Sequence, residues 1–226
     1  MRVAVLIPAL NEAASLPAVL RDLPRVWRVI VCDNGSTDGT ADIARAHGAE
    51  VATESRRGYG SAVLAGLRQL AADPPDVVVV LDGDHADRPD LLPELIAPIE
   101  RDLADFVLAD RTRTATPGAL PPHQRLGNWL ATRLIRLVSG HAYRDMAPFR
   151  AIRWTSLVTL AMEDPSWGWN VEMQLKAVRK NLRILEISLP YAKRVAGRSK
   201  ISGTVRGTLS AGARILWAVR YYRKDR

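Results

Sequence analysis

Two aspartates separated by one glycine, Asp82-Gly83-Asp84, directly follow an unbroken apolar run, VVVVL at 77–81. A run of that composition reads as a strand buried on both faces, so the carboxylates stand where it leaves the core. In open α/β sheets, ligands gather beyond the carboxyl ends of the strands. A pair of acids there suits a hard divalent cation that completes its shell with phosphate oxygens. Gly83 leaves room for a close approach. A helix cap is the plain alternative for Asp84, but two acids at this spacing after a fully apolar strand favour a metal. Asp87 fits equally as a further ligand or as the cap of a helix starting near Pro89.

Other candidates occupy the same topological position on other strands. Asp33 closes the run VWRVIVC at 26–32, where its carboxylate can accept hydrogen bonds from a nucleobase or ribose. Asp33-Asn34-Gly35 would make a good turn in any case, and Thr37 or Asp38 suits a helix cap. The loop from Pro8 to Glu12 also lies at a strand end, and a nucleoside fits between the two loops. Arg57-Gly58-Tyr59-Gly60 is a weak match to a phosphate-approach loop. Arg111 and Arg125 flank a stretch rich in Thr, Pro and Gly at 112–122, and either suits a phosphate clamp or a plain surface role. The basic run at 193–200 reads as a flexible clamp over a diphosphate or as a solvated charge run. The four histidines, His47, His85, His123 and His141, show no metal-ligand spacing.

The elements that position these groups alternate strand and helix four times in the first 85 residues. Strands are expected at 3–9, 26–32, 49–53 and 77–81, with helices between them. That rhythm means a mostly parallel sheet, right-handed crossovers and helices on both faces. A further strand is expected at 104–109. The 112–122 stretch has little periodicity and reads as a mobile loop of the kind that serves as a lid. Apolar residues at Leu126, Leu130, Leu134, Ile135 and Val138 then mark a helix over 123–138. Beyond it come a strand at 147–152, helices at 154–162 and 170–179, a strand at 182–189 and a final helix at about 203–222. Trp167-Gly168-Trp169 has no place in either periodicity.

With 226 residues and 47% hydrophobic residues, the chain makes one large domain. The expected division is a nucleotide-sugar half at 1–110, an acceptor half with a closing loop at 111–202, and a terminal helix at 203–226. The net charge of +8 favours anionic partners: nucleotides, phosphorylated lipids or an acidic membrane surface. Nucleic acid is disfavoured, because aromatic residues scarcely interleave the basic stretches. The single cysteine, Cys32, excludes an internal disulfide and reads as a buried inert thiol. No apolar run reaches the roughly 20 residues of a spanning helix, and no secretory signal is evident. A cytoplasmic protein is expected, with peripheral contact at the inner face of a membrane if its last helix is interfacial.

The order and spacing of VLIPALNEAASL (5–16), VCDNGSTDGT (31–40), RGYGSAVLAGL (57–67), LDGDHAD (81–87), RDMAPFRAIR (144–153), GWNVEMQLKA (168–177) and GRSKISGTVRG (197–207) resemble a family 2 glycosyltransferase. The nearest likeness is to the polyprenyl- and dolichyl-phosphate mannosyl- and glucosyltransferases. The resemblance implies a GT-A fold and an inverting transfer of a hexose from GDP-mannose or UDP-glucose to a polyprenyl phosphate. It implies that Pro8, Asn11, Glu12 and Asp33 line a nucleoside pocket and that Asp82 and Asp84 hold Mg²⁺ or Mn²⁺, with Gly58 of the 57–60 loop a further candidate for donor binding. Arg111 and Arg125 match basic residues near the acceptor phosphate, and Arg194, Ser199 and Lys200 match a closing segment. The pattern departs from the family at Ala86, where a glutamine is usual, and at Ala109-Asp110-Arg111, where Gly-Ser-Arg is usual. A phosphate acceptor needs no general base, whereas a hydroxyl acceptor needs one, with Asp145 and Glu172 as the candidates. A soluble small-molecule acceptor and a non-catalytic nucleotide- or membrane-binding module are the competing readings.

Overall fold

The computed structural model describes residues 1–195. Strand β1 (Val3–Ala9) is the centre of one half of the sheet, pairing in parallel with β2 (Arg28–Asp33) and with β4 (Val77–Val80). β3 (Glu50–Thr53) adds in parallel outside β2. On the far side of β4 comes β6 (Arg150–Arg153), antiparallel to β4 and to the next strand, β5 (Phe106–Asp110). β7 (Ile184–Ser188) closes the edge in parallel with β5, giving one seven-stranded sheet ordered β3-β2-β1-β4-β6-β5-β7. The mostly parallel α/β sheet expected from the sequence is therefore observed, with β6 alone running against its neighbours among the described strands. β6 starts at Arg150 rather than 147, because its register is set by Val80 opposite Arg150 and Val77 opposite Arg153.

Helices cover both faces: α1 (Leu16–Asp22), α2 (Thr40–Ala46), α3 (Tyr59–Leu70), α4 (Leu92–Glu100), α5 (Pro122–Ser139), α6 (Trp154–Leu160) and α7 (Trp169–Arg179). Alternate residues of each central strand feed two separate cores. Leu6, Val78 and Val80 point into one with Phe106 and Trp169. Val5, Ile7, Val77 and Val79 point into the other with Leu16 and Leu95. This is why β4 is apolar at every position.

Close packing also explains a glycine inside α3. A Cβ on Gly66 would lie 2.5 Å from Cys32 Sγ and 2.8 Å from Leu6 Cδ2. Gly66→Ala is expected to destabilise the protein by about 1–3 kcal/mol through overpacking, measured as a lower urea midpoint at unchanged slope. Cys32 is fully buried, and burial pushes its thiol up to about 12, so it stays an inert core residue.

One expectation changes. The 112–122 stretch is tied down rather than free: Ala115 bridges Tyr191, the Thr116 N–H donates to the Tyr191 carbonyl at 2.9 Å, and the Thr114 hydroxyl donates to the Leu189 carbonyl. In α5 the apolar positions mark the helix and divide between its faces, with Leu134 and Val138 packed on the core beside Ile135. Ala131, Thr132 and Ile135 are buried, while Leu126 and Leu130 are exposed. Among the described residues no helix is long and apolar enough to cross a membrane.

Candidate active site

A cleft of about 450 Å³ opens over the carboxyl ends of β1 and β4. Pro8 and Glu12 form one wall and Asp82, Gly83 and Asp84 another; Asn34, Arg57, Gly58, Tyr59, Trp167 and Arg194 also line the cleft. The acidic turn is fixed from α1, where the Ser15 hydroxyl donates to the Gly83 carbonyl at 2.7 Å. Of the residues singled out in the sequence, the cleft thus gathers Pro8, Glu12, Gly58, Asp82, Asp84 and Arg194.

The charge balance of this site is its main chemical feature. Asp84 is 3% exposed; its Oδ1 accepts from the Ala86 N–H at 2.9 Å and its Oδ2 pairs with the Arg194 guanidinium at 2.9 Å. Burial pushes the Asp82 carboxyl up to about 7; Asp84 adds to the shift, and Arg194 and Arg111 oppose it. Asp87 is buried with its Oδ2 lacking any hydrogen-bond partner, and burial raises it well above the usual carboxylate range. It does not cap the helical turn at Pro89, whose cap position is Arg88. Among the described residues, Arg194 and Arg111 are the guanidiniums that oppose the Asp82 shift, and Arg111 is already paired with Asp145. Paired carboxylates at this position suit a divalent cation; here Asp84 is paired with Arg194. No group of three or more His, Cys, Asp or Glu converges on a metal position among the described residues. A cation on Asp82 and Asp84 would take its remaining ligands from substrate oxygens or water.

Arg111 is held by Asp145. Its Nε and Nη2 donate to the two Asp145 oxygens at 2.8 and 2.9 Å, and its backbone N–H donates to Oδ2 at 2.8 Å. The guanidinium also lies over the Tyr191 ring, 4.9 Å from its centre. Burial works to raise the Asp145 carboxyl, but Arg111 prevails and holds it below the ordinary range. A carboxylate so engaged positions an arginine; it is not a free base. Glu172 differs from its expected role for a similar reason. It is fully buried, accepts from the backbone N–H groups of Glu163 and Asp164 at 2.9 and 2.8 Å, and pairs with Lys176 at 2.7 Å. It secures the 163–164 turn from below.

The remaining candidates are dispersed. Asn11, in a left-handed conformation at φ 52°, accepts from the Thr37 N–H at 2.8 Å and so braces the loop after β2. Asp33 is 5% exposed, accepts from the Ser36 N–H at 3.3 Å and is not part of the cleft lining. Arg125 is exposed in the first turn of α5, outside the cleft lining. Ser199, Lys200 and the expected helix at 203–222 lie outside the described residues.

Packing requires both glycines of the pair Gly58 and Gly60. A Cβ on Gly58 would meet the Pro165 carbonyl oxygen at 2.1 Å, and one on Gly60 the Asp164 carbonyl oxygen at 1.9 Å. The close approach seats the 164–167 loop on the start of α3 through Ser61 N–H to Pro165 O at 2.9 Å and Gly60 N–H to Ser166 O at 3.2 Å. It brings Trp167 beside Tyr59, with ring centres 5.9 Å apart, as an aromatic wall of the cleft. Asn34 sets the height of this wall: its Nδ2 donates to the Glu54 and Arg56 carbonyls and its Oδ1 accepts from the Gly58 N–H. Asn34 and Tyr59 lie in motifs noted in the sequence, a turn and the 57–60 loop, without a role of their own there; for Trp167 the signal is the aperiodic Trp167-Gly168-Trp169.

The model of glycosyl transferase family 2 matches residues 4–158. The chain belongs to that family. This glycosyltransferase is 39% identical over 209 residues to an uncharacterised glycosyltransferase of Mycobacterium tuberculosis, covering 92% of this chain and 94% of the relative. It is 32% identical over 224 residues to the undecaprenyl-phosphate mannosyltransferase of Micrococcus luteus, covering 92% and 90%. Among solved structures it is similar to glucosyl-3-phosphoglycerate synthase of Mycobacterium tuberculosis, a protein crystallised with Mn²⁺, UDP and phosphoglyceric acid. The TM-score is 0.78 at 22% identity, covering 99% of this chain and 78% of that one. The fold is thus that of the GT-A glycosyltransferases.

Proposed function

We propose that this glycosyltransferase moves a hexose, with inversion, from a nucleotide-diphosphate sugar (GDP-mannose or UDP-glucose) to a polyprenyl phosphate. The carrying observation is the run of acids after β4, of which Asp82 and Asp84 line a cleft of about 450 Å³ beside Arg194. Mg²⁺ or Mn²⁺ held by Asp82 and Asp84 would neutralise the donor diphosphate as it departs. Arg194, released from Asp84, is then free to add a second positive charge to the leaving group. Tyr59 and Trp167 offer aromatic faces beside Pro8 for the nucleoside or sugar.

In the transfer, an acceptor phosphate oxygen bonds to the anomeric carbon as that carbon's bond to the diphosphate oxygen breaks. The electron pair leaves with the nucleoside diphosphate, and no proton has to move. This chemistry matches the state of the two candidate bases, since Asp145 is locked to Arg111 and Glu172 to its turn. An acceptor that arrives ionised needs neither. Arg111, buried and oriented by Asp145, is the group assigned to the acceptor phosphate. Relatives named undecaprenyl-phosphate mannosyltransferase and polyprenol monophosphomannose synthase support a lipid phosphate. It is presented at a membrane surface, which fits a protein working at the cytoplasmic face. The second reading, a soluble phosphorylated acceptor, draws on the phosphoglyceric acid bound by the structural neighbour.

The test is a donor panel with Mg²⁺ or Mn²⁺, read as nucleoside diphosphate release, against a short-chain polyprenyl phosphate and against phosphoglyceric acid. Metal-dependent release stimulated by the lipid phosphate is expected. Stimulation by phosphoglyceric acid alone overturns the lipid assignment and leaves the transferase standing.

A further inference from the structure

We infer that the outer face of α5 is a docking surface for an anionic lipid bilayer. Helix α5 runs for 18 residues and buries Ala131, Thr132 and Ile135 against the domain. Its opposite side leaves Leu126 64%, Trp129 54%, Leu130 38% and Leu137 82% exposed. At 3.6 residues per turn these four fall in one stripe, spanning roughly 16 Å along the axis. They are four of the ten large apolar side chains most exposed among the described residues. Single exposed leucines need no explanation, but a concentration of this kind on one helix marks an interaction surface.

The charges around the stripe select the partner. Residues 122–139 contain Arg125, Arg133 and Arg136, all exposed, and no aspartate or glutamate. The Arg133 guanidinium lies over the Trp129 ring, 5.6 Å from its centre. An arginine in that position covers apolar surface with its stem while its head reaches an outer anion. Leucines and a tryptophan on one face with arginines interleaved and no acid is the make-up of a helix lying in a membrane interface. A second copy of this face would set arginine against arginine. So would residues 196–226 of the same chain, which carry eight basic residues against one acid. Phospholipid headgroups of negative charge complement it without such conflict.

The inner side of α5 connects this surface to the acceptor arginine. The Asn128 side chain accepts from the Met146 N–H at 2.8 Å and donates to the Arg144 carbonyl at 3.3 Å. It thereby grips the segment carrying Asp145, the partner of Arg111. The inference deepens the lipid-phosphate reading above and rests on it for the purpose of docking: the helix that meets the bilayer is braced against the residues assigned to the phosphate.

The experiment uses the full chain with Leu137→Cys labelled by a polarity-sensitive dye; Cys32 is fully buried, so the introduced thiol is the one that reacts. Vesicles of phosphatidylcholine alone are compared with vesicles containing phosphatidylglycerol. Blue-shifted emission and co-sedimentation with the anionic vesicles are expected. The unlabelled Leu126→Ser/Leu137→Ser variant should bind them on the order of tenfold more weakly or worse, while turnover of a water-soluble short-chain acceptor stays unchanged. No shift with anionic vesicles overturns the inference. So does a dye already buried before lipid is added; a dilution series then tells a second copy from cover by the chain itself. Vesicle binding is read without donor or turnover, so its failure leaves the acceptor assignment intact. Loss of lipid-phosphate turnover with intact binding sinks that assignment alone.

Discussion

Replacing Asp84 by asparagine is expected to lower sugar transfer by about a thousandfold or more while the fold survives. The substitution is chosen for what it keeps. The Asp84 Oδ1 accepts the Ala86 N–H at 2.9 Å, and an asparagine oxygen can do the same, so the turn after β4 retains its internal bond. What disappears is the charge. Arg194, 2.9 Å from Asp84 Oδ2, loses its counterion, and Asp82 loses the neighbour with which it would share a cation. Two measurements separate these effects from misfolding. The thermal midpoint of the unliganded protein should move by no more than a few degrees. The further stabilisation that Mn²⁺ and donor together give the wild type should vanish. Transfer at the wild-type rate in this variant would remove Asp84 from the metal site and, with it, the main support for a diphosphate in the cleft.

The difference between legible and hidden parts of this molecule follows from sequence separation. β4 was readable because both of its faces are apolar, and the acids after it because they are adjacent. Both facts lie within eleven residues, 77–87. Arg194 could be seen as a basic residue but not as the partner of Asp84, since the pairing joins positions 110 apart and depends on β7 and the following segment returning beside β4. Asn34 looked like a turn residue because its three hydrogen bonds reach 20–24 residues ahead. Gly58 and Gly60 suggested a ligand, yet the group that needs their missing side chains is the backbone at 164–165. Glu172 shows the opposite limit. An acid on a helix invites a catalytic reading, and only the fold reveals that two backbone N–H groups and Lys176 already occupy it.

Helix α5 shows a further limit. Its leucines recur at helical spacing, which locates the helix but does not say which side is inward. Ala131, Thr132 and Ile135 face the domain with Leu134 and Val138 packed beside them, and Asn128, on the same side, satisfies backbone partners at 144 and 146. The leucines on the outer side then need a different explanation, and the absence of any acid between 122 and 139 supplies the direction in which to look.

Asp145→Asn should cost about 3–5 kcal/mol of stability at neutral pH, because it strands a buried guanidinium. Asp145 is 1% exposed and the Arg111 side chain 11%, so water can do little to replace the lost charge. The pH dependence carries a definite sign. Arg111 holds the folded-state carboxyl below its ordinary value. The stabilisation is therefore complete above the unfolded pKa of about 3.9, and it is lost as pH falls through the lower, folded value. In denaturant titrations the gap between wild type and variant should be full at pH 7 and should close in acid below about pH 4. A gap that is independent of pH would mean that the asparagine disturbs packing rather than charge. Pairing the change with Arg111→Gln separates structure from chemistry. Removing both charges should recover part of the stability, since no ion is then left unpaired. It should not recover turnover, because the group assigned to the acceptor phosphate is gone. Full activity in the double variant would show that the ion pair only braces the fold, and that the acceptor phosphate is held elsewhere.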